Sequence, residues 1–342
     1  MMKFAAKAMV VAGAALLLAA CMSSNPSKPK GKPDWIINEP TKPGHAYGVG
    51  SAEIYTDEAE AMRRARDAAK VDLVQKLRVT VTGELTQDTQ ETRQTGKQTQ
   101  LVQSVRNRIT SKIPQAELSN LETEDSYADM KNRVVYTLVK LNRVKAAAEL
   151  RRQISELDMQ VTDLSNNTSD SLPVLKQLQS LLPVLKLIAQ RDKLSEQAQL
   201  FDLNGRKPLK DEFILDTEKR IYALLDKLVV TVEAQNTAAQ GMRAGIIRSL
   251  TSTGLRVSPT QGDLALKYEA NLRPVTKSGR HVVFADGSIR IEDSAGRILS
   301  EFSKEAKGVS AASAAVAERN AVQKLAESLG QELATTLVDK ID

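Results

Sequence analysis

The chain has 342 residues, with 48 Lys and Arg against 42 Asp and Glu, a formal charge of +6 and a single cysteine. One cysteine excludes an intramolecular disulfide and a thiolate metal cluster within one chain, so stability has to come from packing. The positive charge is mild and dispersed, without the dense Lys/Arg block that makes a nucleic-acid footprint, and no nucleic-acid partner is expected.

The chain opens with a basic start, Lys3 and Lys7, that leads into an apolar run from Ala8 to Ala20. At about thirteen residues the run is shorter than the roughly 20 needed to cross a bilayer as a helix, and it reads as a signal-peptide core. It ends in Leu18-Ala19-Ala20-Cys21, which resembles the bacterial lipobox at all four positions. The resemblance implies cleavage before Cys21, a diacylglyceryl group on its thiol and a mature chain held on a membrane by lipid. A plainer reading leaves Cys21 as the last residue of an ordinary cleaved signal peptide or of an uncleaved anchor. Met22 follows where enterobacterial sorting uses aspartate to retain a lipoprotein at the inner membrane, which by analogy favours the outer membrane. From Met22 to Pro33, Pro26, Pro29 and Pro33 interleave with Lys28, Lys30 and Lys32, a composition that cannot build a core and reads as a tether.

Pro33-Asp34-Trp35-Ile36 follows, then an extended segment over 46–52 and a helix beginning near Thr56 or Asp57. Glu58 and Glu60 complement the positive end of its dipole, and Ala61, Ala65, Ala69, Leu73 and Leu77 recur in steps of four on one face. Small alanines there would let the helix sit close to a sheet. Val79 and Val81 alternate with Thr80 and Thr82, which predicts a strand from Arg78 to Leu85. The Thr/Gln-rich stretch from Thr86 to Gln103 reads as a solvated projection, followed by a helix from Gln98 to Ser111 and strands near 117–124 and 133–141.

Pro33-Asp34-Trp35, Tyr47-Gly48-Val49-Gly50-Ser51-Ala52, the alanine-spaced helix and Val135-Tyr136-Thr137-Leu138-Val139-Lys140-Leu141 stand in that order behind a lipobox. Together they resemble the LPP-twenty lipoprotein family over the N-terminal third of the chain, Pro33 to roughly Lys145. The resemblance implies an outer-membrane lipoprotein, since the family includes lipoproteins associated with the flagellum, among them flagellar lipoprotein P, beside many members of unassigned role. A family-typical protein would end soon after that strand, and this chain continues for almost two hundred residues. Gly48-Val49-Gly50 also begins like a dinucleotide fingerprint, but Glu53 occupies the place of the third glycine and would repel a pyrophosphate. A structural role for the two glycines is expected.

Beyond Asn142 the apolar period becomes a heptad: Ala147, Leu150, Ile154, Leu157, Val161 and Leu164, then Leu175, Leu178, Leu182, Leu185 and Ala189 after a polar turn over 165–171. Two antiparallel helices fit, with Pro173 in the first turn of the second and Pro183 expected to kink it. A break at Asn204-Gly205 and Pro208 precedes a third helix carrying Ile214, Ile221, Leu225 and Leu228. A self-contained hairpin stalk is the preferred reading of this stripe, and homo-oligomerisation stays open. From Lys227 the pattern becomes mixed, with strands near 228–233, 264–274, 280–292 and 299–306. Helices are expected over 237–253 and 313–338, the last aligning Ala317, Ala321, Leu325, Leu329, Leu333 and Leu337.

The fold class is therefore α+β: two small α/β sandwich domains joined by a helical coiled-coil hairpin. The divisions are a signal peptide at 1–20, a tether at 21–33, an α/β domain at 34–145, the hairpin stalk at 146–226 and a C-terminal α/β domain at 227–342. His45 and His281 are the only histidines and have no spacing that would place two imidazoles on one metal. No GxSxG elbow or P-loop is present, and acidic neighbours such as Glu122 and Glu124 are what chance provides among so many acids. The expectation is a non-enzymatic lipoprotein with Cys21 as its one site residue, no cofactor, no metal, and partners consisting of a membrane and another envelope protein. It would serve envelope or flagellar assembly. The alternatives are a regulator of a peptidoglycan-synthesis enzyme, or a wall-glycan-binding enzyme.

Overall fold

The computed structural model describes residues 31–85, 100–112, 121–277 and 280–341. Cys21, the signal peptide, most of the tether and the Thr/Gln stretch up to residue 99 lie outside the described residues. Among those described, eight α-helices and two β-sheets make a mixed α+β protein. The chain divides into two compact units. The first takes the described residues of Met1–Lys42, Tyr47–Val74 and Glu122–Lys140; the second takes those of Pro43–Ala46, Gln75–Leu121 and Leu141–Asp342.

The first unit contains a three-stranded sheet of order β1-β3-β2, formed by β1 (His45–Glu53), β2 (Leu121–Asp129) and β3 (Val134–Asn142). The turn into β3 uses Arg133 at φ 53 and is fastened by Asp129, which accepts from the backbone and side-chain N–H groups of Asn132 at 3.0 and 2.7 Å. Helix α1 (Glu58–Leu85) starts behind Asp57, whose carboxylate accepts from the backbone N–H of Ala59 at 3.0 Å. The stripe Ala61, Ala65, Ala69, Leu73 and Leu77 is buried, and Ala61 and Ala65 pack with Val135 of β3. A Cβ on Gly48 would overlap the carbonyl oxygen of Ala69, and one on Gly50 that of Ala65. The glycines and the alanine stripe are thus two halves of one close approach of strand to helix.

The expected strand at 78–85 is absent, because α1 runs on to Leu85. Val79 is 73 % exposed and marks no buried sheet face. A helix already nucleated over several turns tolerates β-branched residues at a cost of only a few tenths of a kcal/mol each. The strand expected near 117–124 is observed further along, as β2.

In the second unit, α2 (Gln100–Lys112) buries Leu101, Val102, Val105 and Ile109. Helices α3 (Arg143–Asn166) and α4 (Val174–Phe201) run antiparallel: Arg143, at the start of α3, donates to the carbonyls of Phe201 and Asp202 at the end of α4, at 3.3 and 2.7 Å. Ala147, Leu150, Ile154, Leu157 and Val161 are buried as the heptad requires, but Leu164 is 42 % exposed and Ser165 takes the inward place. A straight helix of 3.6 residues per turn drifts off a 3.5-residue seam, and Ser165 fits there because its hydroxyl donates to the Val161 carbonyl at 2.6 Å. On α4, Leu181, Val184 and Ile188 are buried beside the expected leucines, a face wider than a two-helix seam. Pro183 stands exposed within the span of α4.

Helix α5 (Glu212–Lys227) is capped by Asp211, which accepts from the Ile214 N–H at 2.8 Å. A five-stranded sheet of order β5-β4-β6-β7-β8 follows from β4 (Val229–Ala234), β5 (Arg256–Ser258), β6 (Leu264–Lys277), β7 (Arg280–Asp293) and β8 (Ile298–Ser310). β4 is parallel to β5 and β6, whereas β6, β7 and β8 are antiparallel. The helix expected over 237–253 is divided into α6 (Thr237–Gln240) and α7 (Arg243–Ser252). The last helix, α8 (Ala314–Ile341), buries its whole stripe from Ala317 to Leu337. Gly308 of β8 meets it as Gly48 and Gly50 meet α1, since a Cβ there would overlap the Ala317 carbonyl.

A separate stalk over 146–226 is not what the packing shows. Val161, Leu178, Leu182 and Leu185 share one hydrophobic core with Val230, Leu266, Ile289 and Leu329. The α4 half of the stripe read as a hairpin seam, with Val161 of α3, covers the same apolar interior that the C-terminal sheet and α8 enclose. Residue 227 is therefore no boundary in the core.

Candidate functional site

Three segments of the second unit converge on the carboxylate of Glu218, a buried residue of α5. Arg106 of α2 and the Tyr222 hydroxyl, one helical turn along, each donate to Oε1 at 2.7 Å, and Lys210, from the segment before α5, donates to Oε2 at 2.7 Å. Lys210 also pairs with Asp192 of α4 at 2.8 Å. Arg106 donates to the Tyr222 hydroxyl at 3.1 Å and lies over its ring, 5.5 Å from the centroid. The cluster borders a cavity of about 300 Å³ whose apolar wall is made by Ile109, Leu185 and Ile188.

Burial alone would raise the Glu218 carboxyl, but Lys210, Arg106 and Tyr222 outweigh it and hold the group below the ordinary glutamate range. Burial, reinforced by the adjacent Glu218 charge, pushes the Tyr222 phenol well up. Glu218 is thus fixed as a carboxylate and Tyr222 as a neutral donor across the physiological range. Neither is tuned to exchange a proton near neutral pH. Chemically the arrangement is a charged crosslink joining α2, α4, α5 and the segment before α5. None of its members stands out in the sequence, where only the four-residue spacing of Glu218 and Tyr222 hints at contact.

The residues singled out from sequence are dispersed. Cys21 lies outside the described residues. Nδ1 of His45 is 3.1 Å from the Pro43 carbonyl, and His281 lies in β7 opposite Ser310 of β8. Glu122 and Glu124 both pair with Lys140. Among the described residues no group of three or more His, Cys, Asp or Glu is placed to hold a metal ion, and no helix is long and apolar enough to cross a membrane.

In the first unit, the Trp35 indole donates to Asp125 of β2 at 2.8 Å. Lys32 reaches Asp129 at 3.3 Å and lies over the Tyr136 ring at 5.2 Å. The Pro33-Asp34-Trp35 segment is thereby fastened to the β2–β3 pair.

The two sheets and eight helices define a mixed α+β protein. Residues 33–142 match the model of the LPP20 lipoprotein family. That match covers the N-terminal third and supports a lipoprotein of the cell envelope. No curated protein sequence matches the chain. Among solved structures, the chain is similar to the secreted protein HP1454 from Helicobacter pylori, at 17 % identity over 86 % of this chain and 98 % of that one, with a TM-score of 0.45. A minor lipoprotein from Acinetobacter baumannii shows 14 % identity over 32 % and 92 % of the two chains, with a TM-score of 0.29. Lipoprotein GNA1162 from Neisseria meningitidis shows 15 % identity over 25 % and 86 %, with a TM-score of 0.22. Scores of this size carry no inference about role.

Proposed function

We propose that the chain is a lipid-anchored, non-enzymatic interaction component of the outer membrane that serves envelope or flagellar assembly. The observation that carries this reading is the order of two features: a lipobox ending in Cys21, then the LPP20 match beginning at residue 33. Acyl chains on Cys21, at ~0.8 kcal/mol per buried CH₂, would anchor the chain without a spanning helix.

Crosslinking in the native cell, with identification of the captured protein, tests the role. Capture of an envelope or flagellar protein, with lost motility and normal wall composition on deletion, is the expected result. Altered peptidoglycan crosslinking with intact motility would assign the chain to regulation of a wall enzyme instead. Wall-substrate cleavage by the purified chain, abolished by replacing one acid, would overturn the non-enzymatic reading.

A further inference from the structure

The strand register of the C-terminal sheet lines residues up in rows across β6, β7 and β8. Val283, Ala285, Ile289 and Ile291 of β7 are buried on one face. The opposite face, read from the β6–β7 hairpin end, carries Val275, Val282 and Val309 in its first row and Arg273, Phe284 and Lys307 in its second. Val275 is 45 % and Val309 41 % exposed. Arg273 and Lys307 flank the Phe284 ring from the two outer strands, 5.9 and 5.6 Å from its centroid. Arg280, at the start of β7, is exposed beside the first row. Neither row contains a carboxylate. The first acids, Asp286 and Glu305, stand in the third row and pair there with Arg273 at 3.0 and 3.4 Å.

We propose that this end of the sheet docks on an anionic phospholipid surface, with the valine row entering the headgroup boundary and Lys307 and Arg280 meeting the phosphates. The pairing is one of chemistry: an exposed apolar row bordered by cations fits a surface whose apolar interior lies just beneath anionic oxygens. A second copy stacked row on row would set cations against cations. The inference rests on the lipid-anchored reading above, because the Cys21 anchor turns a weak surface contact into an intramolecular event. The sheet end would then be a second, electrostatic contact that orients the tethered protein on its membrane.

The test uses the full lipidated chain carrying Val309→Cys labelled with an environment-sensitive fluorophore, in vesicles of phosphatidylethanolamine and phosphatidylglycerol or of phosphatidylcholine alone. A blue shift and quenching by acyl-chain nitroxides in the anionic vesicles, absent in the neutral ones, is expected. Lys307→Gln and Arg280→Gln should each lower the docked-to-undocked ratio about fivefold without moving the melting temperature. Equal emission in both vesicle types would overturn the proposal. So would a shift that grows with protein concentration without vesicles, which signals self-association, or one reproduced by polyglutamate, which signals an acidic protein partner. Flotation and labelling stoichiometry report the anchor separately. A chain that fails to float and takes two labels lacks the lipid on Cys21, while the label at 309 still reports docking when vesicles are added.

Discussion

Oε1 of Glu218 accepts from Arg106 and Tyr222 at 2.7 Å each, while Oε2 is held by Lys210, so that one buried carboxylate joins α2, α5 and the segment before α5. Its lowered pKa means that the folded state favours the ionised form more than the unfolded chain does. The stability so gained is fully present above the ordinary glutamate value of about 4.3 and is lost as pH falls through the lower folded value. Tyr222 has the opposite sign: its raised pKa favours the neutral phenol, and stability falls as pH rises past the unfolded tyrosine value of about 10. Thermal melts of Glu218→Gln across pH should show a smaller loss of stability in acid than the parent chain. An unchanged acid limb would show that the cluster contributes nothing to it.

Gly50→Ala should destabilise the first unit by at least about 3 kcal/mol, because the added Cβ overlaps the Ala65 carbonyl and backbone cannot turn aside as a side chain can. Gly308→Ala should act in the same way against Ala317 in the second unit. Denaturant titration measures both, and a Gly50→Ala chain as stable as its parent would remove the close-packing role of the Gly-Val-Gly segment.

Arg191 is buried on α4, where it pairs with Asp158 of α3 at 2.8 Å and donates to the carbonyls of Pro208 and Leu209 at 3.3 and 2.5 Å. Arg191→Met should cost about 3 kcal/mol, at the low end for breaking a buried pair because Asp158 keeps some contact with water. Arg191→Met combined with Asp158→Leu should recover part of that loss. A double variant no more stable than the single one would place the energy in the two carbonyl contacts rather than the ion pair.

The continuity of the core makes a prediction about fragments. Cutting at residue 226 exposes Leu228, Val230 and Leu266, which share their core with α4 and α5. The fragment 227–342 should therefore lack a cooperative thermal transition. A sharp transition with dispersed amide resonances would restore the separate C-terminal domain.

Much of this architecture is legible in the sequence because its stripes are strong. The fourfold spacing of Ala61 to Leu77 and of Ala317 to Leu337 marks two helix faces that are buried in full. The Val79–Thr82 alternation misleads because period two is also what β-branched residues give by chance near a helix end, and nothing local tells such a chance alternation from a strand. Leu164 and Ser165 exchange places because a strict heptad written from Ala147 to Leu164 hides the drift of a real helix. β5 escapes notice because three residues paired in parallel to β4 leave no alternation to read. The Glu218 cluster is invisible because Arg106 and Glu218 are over a hundred residues apart. Only folding brings them together.

The most direct test of the lipoprotein account is metabolic labelling with a fatty-acid analogue, followed by membrane fractionation, of the parent chain and of Cys21→Ser. The parent should carry the label and sediment with the outer membrane, whereas Cys21→Ser should lose the label and be released or misprocessed while keeping the parent's circular dichroism and melting temperature. Equal labelling and unchanged membrane attachment of Cys21→Ser would contradict the account.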